Sequence, residues 1–159
     1  MRGFDDLSCL VFTLFFGVTL PVCGQSLQVS PVSGAPGEKV DLVISLDSPV
    51  RSAPAALQWE IIFPAQILED GGAGPEAGRA ASDSGKSLTC AKRKTYSYAC
   101  ILVGGQKPVG NGPIAIFHFK IRSEAHAGTS VVRVEKAEGA TADLKQLTLK
   151  DAEGIVTVH

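Results

Sequence analysis

Proton transfer or metal binding near neutral pH would fall first to histidine, and this 159-residue chain has three, His118, His126 and His159. No two of them stand at a spacing that a metal site uses. His118 alternates with Phe117 and Phe119, which turns it outward from a strand, and His159 is the last residue. Paired carboxylates in a cleft are the next chemistry to test. Glu60 falls on the polar side of an alternating run and Glu69 at the end of another, so both read as solvent-facing. Asp143 and Asp151 lack the pattern of a calcium loop, and no glycine-rich phosphate loop leads from a strand into a helix. No catalytic residue, metal site or cofactor is expected, and the chain reads as a non-enzyme.

The cysteines offer covalent chemistry of a structural kind. Cys9 and Cys23 fall in an apolar leader, which leaves Cys90 and Cys100. The run Leu88-Thr-Cys-Ala-Lys-Arg-Lys-Thr-Tyr-Ser-Tyr-Ala-Cys-Ile-Leu102 reads as two strands joined by a charged turn near Thr95. Cys90 then faces Cys100 on the neighbouring strand, within bridging reach. Closing that loop would stabilise the fold by about 3 kcal/mol through the entropy of the unfolded chain. A redox or metal pair is the alternative, but the spacing is not the two-residue gap of either and no histidine lies nearby. The short basic run Lys92-Arg-Lys94 sits at the tip of the hairpin, where such runs are solvated.

These groups must be positioned by strands. Pro31-Val-Ser-Gly-Ala-Pro-Gly37 is a run of turn formers, followed by Val40, Leu42, Ile44 and Leu46 at period two. Ala55 to Phe63 alternates again and stops at Pro64, and Ile114 to Ile121 forms a long strand after the turn at Pro108 to Pro113. Period-two runs punctuated by Gly and Pro mark half-buried strands of an antiparallel sandwich. Strands are expected over 27–30, 38–46, 55–63, 66–69, 87–92, 96–103, 114–122, 130–138, 146–150 and 154–158. The best place for a short helical turn is 137–147. Val40, Leu42, Ile44 and Leu46 should face Leu57, Trp59, Ile61 and Phe63, with Phe117, Phe119 and Ile121 closing the core. Trp59, flanked by Leu57 and Ile61 on its strand face, belongs to that core. The segment 70–86 holds five Gly and four Ala; it is expected to be an exposed, mobile loop with little that could pack.

Leu7 to Val22 is mostly apolar and is followed by small residues, which reads as a secretory signal peptide over 1–24, cut after Gly24. An uncleaved anchor is the alternative, but the run is shorter than the roughly 20 residues that span a bilayer. Lipoprotein processing at Cys23 is a third reading, opposed by Val22 just before it. Residues 25–159 then form one domain that is secreted or held at the cell surface. The chain has fifteen basic and sixteen acidic residues; the leader removes Arg2, Asp5 and Asp6, leaving fourteen of each. Nucleic acid is therefore excluded as an expected partner, and no basic cluster suits anionic lipid.

The order of motifs resembles that of cohesin domains, the scaffold-borne receptor modules of cellulosomes. Gly34-Ala-Pro-Gly-Glu-Lys-Val40, Leu57-Gln-Trp-Glu-Ile-Ile-Phe-Pro-Ala-Gln-Ile-Leu68, Gly112-Pro-Ile-Ala-Ile-Phe-His-Phe-Lys-Ile121 and the pair Gly128-Thr129 follow the family's succession over 27–158. The resemblance implies an all-β, two-sheet antiparallel β-sandwich, a nine-stranded jelly roll. It also implies a protein partner, a dockerin, which is a small calcium-loaded helical module received on one outer sheet face. Mapped onto this chain, that face uses the strands 55–63, 87–92, 96–103 and 130–138. Its outward candidates are Gln58, Glu60, Tyr98, Arg133 and Glu135. Direct polysaccharide binding is the second reading; it calls for exposed aromatic residues, and Tyr96 and Tyr98 are the candidates.

Overall fold

The computed structural model describes residues 24–159 and, before them, only a short antiparallel pairing of Val11–Phe12 with Leu20–Pro21. The expected signal peptide and its cleavage otherwise lie outside the described residues. From there the strands are β1 (Ser26–Val29), β2 (Val32–Gly34), β3 (Lys39–Asp47), β4 (Ala56–Ile62), β5 (Leu68–Asp70) and β6 (Glu76–Ala77). A short helix, α1 (Arg79–Asp83), precedes β7 (Ser87–Lys94), β8 (Ser97–Val103) and β9 (Gly112–Ile121). The chain ends in β10 (Gly128–Ala140), β11 (Gln146–Thr148) and β12 (Ala152–Val158).

Period-two alternation makes each long strand apolar on one side, and the two sheets bury those sides against each other. The larger sheet runs β2-β12-β10-β4-β8-β7, with β11 also on β10; the smaller runs β1-β3-β9-β5, with β6 also on β9. The expected sandwich is present. Among residues 24–159 it has twelve strands rather than the expected nine; Val32–Gly34 and Glu76–Ala77, too short to show a period, are not anticipated by the alternation. One pairing, β2 on β12, is parallel.

Leu42, Ile44 and Leu46 of β3 and Phe117, Phe119 and Ile121 of β9 meet Leu57, Trp59 and Ile61 of β4, all buried as their spacing requires. Aromatic contacts cross between the sheets: Phe63 lies 4.8 Å from Phe119 and Tyr98 lies 5.9 Å from Phe117, centroid to centroid. Cys90 and Cys100 are directly paired across β7 and β8 and bonded, with an S–S distance of 2.03 Å.

Tyr98 differs from its expected outward position. It is paired with Ile61, as Cys100 is with Trp59 and Leu102 with Leu57. Directly paired residues share a face, so Tyr98 points into the core and is only 7% exposed. Its hydroxyl donates to Asp70 Oδ2 of the opposite sheet at 2.7 Å, while the Gly72 N–H donates to Asp70 Oδ1. Tyr98 therefore belongs to neither a protein-binding nor a carbohydrate-binding surface. It ties the two sheets together.

The segment 70–86 also departs from a mobile loop. Glu76–Ala77 pairs with β9, and α1 tucks Ala80 and Ala81 into the core. Close approach is possible because residue 78 is glycine: a Cβ there would stand 2.5 Å from the Pro113 carbonyl. The Gly78 N–H instead donates to Ile114 O at 3.0 Å. Lys86 is buried and its ammonium donates to the Gly104 and Gly105 carbonyls, which holds the segment to the loop after β8. The helical turn expected within 137–147 is absent: β10 runs on to Ala140 and returns as β11 through a turn in which Lys145 N–H donates to the Thr141 hydroxyl.

Two stability measurements follow. Replacing both Cys90 and Cys100 with serine should lower the unfolding free energy by about 3 kcal/mol in denaturant titration. Tyr98→Phe should cost about 1–2 kcal/mol at neutral pH by losing the bond to Asp70. The Tyr98 hydroxyl, then the Gly72 N–H, holds the Asp70 carboxyl below its ordinary value. A lowered folded-state value gives stability that is present above the unfolded aspartate value and is lost as pH falls through the lowered one. Tyr98→Phe should accordingly show a shallower loss of stability below about pH 4 than the parent chain.

Candidate functional site

The outer face of the larger sheet is assembled from the alternate residues of the strands whose other residues make the core. Thr89, Ile101, Gln58 and Glu138 form one row across β7, β8, β4 and β10, and Ala91, Ala99, Glu60 and Glu135 form the next. Arg133 follows on β10, opposite Ile62 on one side and Glu153 of β12 on the other. Gln58, Glu60, Arg133 and Glu135 thus share this face, as mapped from the motifs.

The face has two unlike halves. At one end Ala56, Ile101, Val103 and Ala140, edged by Gln58 and Glu138, line a shallow depression of about 190 Å³. Ile101 is 42% exposed and Val103 39%, so apolar side chains of a size that normally packs are left in water. Toward the other end charged side chains predominate, with the exposed cross-strand pair Val131 and Ile155 beyond Arg133. Lys136 Nζ donates to Glu60 Oε2 at 2.8 Å and Arg133 Nε to Glu153 Oε1 at 3.1 Å, while Gln58 Nε2 donates to Glu138 Oε2 at 2.9 Å along the edge of the depression.

A bulge in β10 creates this ionic half. The register with β4 shifts between Glu135 and Glu138, so Lys136 and Ala137 occupy the place opposite Trp59. Ala137 takes the inward position and is buried, while Lys136 adopts a left-handed φ of 54° and reaches Glu60. A bulge re-aims a side chain in this way. Glu60 and Glu135 oppose each other directly, an arrangement that like charges disfavour, and the Lys136 ammonium lies beside that pair. Its hydrogen bond holds Glu60 below the usual carboxylate value, and Glu60 in turn raises Lys136.

Ile101, Val103, Lys136 and Glu138 were not among the sequence-derived site residues. The first two could have been found by parity: once Cys100 faces Trp59, the odd-numbered residues of β8 must face outward. The bulge that aims Lys136 leaves no comparable trace in the pattern. Tyr96 is 39% exposed at the hairpin turn, with Lys94 Nζ 5.5 Å from its ring centroid.

Other titratable groups lie apart from this face. Glu69 pairs with Lys120 and Arg122 on the outside of the smaller sheet, so it and Glu60 point away from opposite sides of the sandwich. His126 and His159 are exposed, Asp143 pairs with Lys145, and His118 sits on the smaller sheet between Asp41 and Glu76. Among the described residues no three His, Cys, Asp or Glu side chains are arranged to hold a metal ion.

No family model and no curated protein matches the chain by sequence. Solved structures match its fold. A type I cohesin–dockerin complex of OlpA from Clostridium thermocellum aligns with a TM-score of 0.76 at 15% identity, covering 86% of this chain and 99% of that one. The sixth cohesin of scaffoldin B from Acetivibrio cellulolyticus, solved with a dockerin, gives 0.73 at 19% identity, with coverage of 86% and 99%. A non-cellulosomal cohesin from the hyperthermophilic archaeon Archaeoglobus fulgidus gives 0.71 at 9% identity, with coverage of 86% and 91%. The chain has the fold of the cohesins, in agreement with the order of its motifs.

Proposed function

We propose that this chain is a secreted, non-catalytic binding module that receives a dockerin-type protein on the outer face of its larger sheet. The observation that carries this reading is the apolar depression at Ile101 and Val103 set beside the charged residues Glu60, Lys136, Arg133 and Glu135, of which Lys136 pairs with Glu60 and Arg133 with Glu153. A partner's apolar side chain seated in the depression would be desolvated on all sides, and a few such anchors supply most of the affinity of a protein contact. The polar half would set orientation and exclude mismatched partners. Several of the similar solved structures are complexes with dockerins, which supports the same class of partner. The Cys90–Cys100 bond fits an oxidising compartment, and an extracellular polysaccharide-degrading or cell-surface assembly is the setting that joins these features.

Direct polysaccharide binding is the weaker reading. It needs a platform of exposed aromatic rings, and burial of Tyr98 leaves Tyr96 as the surface member of the expected pair.

The test is capture on immobilised residues 25–159 of calcium-loaded dockerin modules and of insoluble cellulose, with and without EDTA. A dockerin retained with calcium and lost with EDTA is the expected outcome. Ile101→Asp with Val103→Asp should weaken that binding at least thirtyfold, equivalent to about 2 kcal/mol for an anchor pair. Tyr98→Phe, which alters only the core, should leave it unchanged. Retention on cellulose that Tyr96→Ala abolishes, with no dockerin bound, would move the chain to the carbohydrate-binding class.

A further inference from the structure

The outside of the smaller sheet holds a group that the binding face does not use. His118 projects from the middle of β9 and has a carboxylate at each ring nitrogen. Asp41 Oδ1, from the directly paired position on β3, lies 2.7 Å from Nδ1, and Glu76 Oε1, from β6, lies 3.4 Å from Nε2. A neutral imidazole has one N–H and one lone pair, so it can serve only one of these two acceptors. The imidazolium serves both.

The two carboxylates belong to unlike parts of the fold. Asp41 sits within the nine-residue β3, whose pairing with β9 extends along most of its length. Glu76 sits in the two-residue β6, inside the segment that folds over the side of the sandwich. That segment is held to β9 by Gly71 N–H on His118 O and Gly78 N–H on Ile114 O, each at 3.0 Å. Beyond Gly78 the chain continues into α1, which carries Ala80 and Ala81 into the core. The side chain of Glu76 is 62% exposed, so little but His118 restrains it.

We propose that His118 is a proton-operated latch that fastens the 71–78 segment to β9 when charged and loosens it when neutral. The arms are unequal. The shorter contact with Asp41 keeps the remaining proton on Nδ1, so deprotonation leaves the Nε2 lone pair facing the Glu76 carboxylate. An attraction becomes a repulsion at that one contact, and the weaker strand yields. The other charged groups on this face are Lys39 beside Asp41 on β3, Lys120 two residues along β9, and Glu69 of β5, which is paired with Lys120. The hydrogen bond to Asp41, then the Asp41 and Glu76 charges, raise the His118 value above that of free histidine, with partial burial opposing them. A raised folded-state value means that the latch stabilises fully below the unfolded histidine value and is lost as pH rises through the raised one.

The experiment uses residues 25–159 and follows two quantities by NMR as pH rises, the His118 ring titration and exchange of the Gly78 amide corrected for its intrinsic pH dependence. Protection of Gly78 should fall about threefold across the His118 midpoint, the scale of a surface ion pair lost. The amide of Ile121, bonded to Glu38 O on the far end of the same strand, should show no step. Glu76→Gln should lower the His118 midpoint and abolish the Gly78 step, and His118→Gln should abolish the step as well. A Gly78 step that persists in Glu76→Gln, or its absence in the parent chain while His118 titrates, would overturn the proposal.

Discussion

The pairing of β4 with β8 is the constraint on which the rest of this structure depends. Leu57 with Leu102, Trp59 with Cys100 and Ile61 with Tyr98 are direct cross-strand pairs, and each pair puts both side chains on the core side. Because the side-chain period is two, a slip of one residue would turn the whole apolar set of β8 to solvent. The hydrophobic cost of that slip, spread over Tyr98, Cys100 and Leu102, holds the register. Everything on the outer face follows from it, since Gln58, Glu60, Ala99 and Ile101 are simply the residues left over. The Cys90–Cys100 bond extends the same register to β7, an edge strand with a partner on one side only.

The two sheets are joined by different chemistry along their open side. The core supplies aromatic packing, but its margin near β5 is closed by the Tyr98 hydroxyl on Asp70, an interaction in which burial and the Asp70 charge push the tyrosine value up to about 12. Farther along, the 71–86 segment closes the gap with backbone bonds to β9 and with the buried Lys86 ammonium on two glycine carbonyls. Desolvation lowers the Lys86 value, and the carbonyls offset part of that cost because a buried cation must be solvated by something. A Gly- and Ala-rich composition, which suggested a mobile loop, serves here for close approach. Gly78 permits contact with the Pro113 carbonyl, and Ala80 and Ala81 are buried in the core.

What could be read in the sequence and what could not divides along the range of the interactions concerned. Alternation in 40–46, 57–63 and 114–121 depends on residues two apart, so the strands, the core and the inward Trp59 were legible. The facing of Cys90 and Cys100 needs only a hairpin turn between them and was legible too. Tyr98 was misplaced because its face is decided by which residue of β4 it meets, a contact 37 positions away in sequence. The β10 bulge depends on fitting Ala137 and Lys136 opposite Trp59, and α1 on a glycine at the point where the segment crosses β9. Neither leaves a local period, so neither could be seen without the partner strand.

The same division bears on why similar folds at 9–19% identity carry so little information about partners. Alternation in the core is satisfied by many combinations of Val, Ile, Leu and Phe, so the sandwich survives almost complete replacement of its sequence. The outer face is under no such constraint from folding. There the residues are free to be polar, apolar or charged so long as solvent accepts them, and Ile101 and Val103 are poorly accepted. Exposed β-branched pairs cost little singly, but their union with Ala56 and Ala140 into one depression gives an uncovered apolar surface at one end of the strands β4, β8 and β10. A bulged strand that holds Lys136 in a left-handed conformation to reach Glu60 adds a second feature that core packing does not require. Under the proposed function, discrimination among partners would rest on such outer-face residues, which folding leaves free to vary.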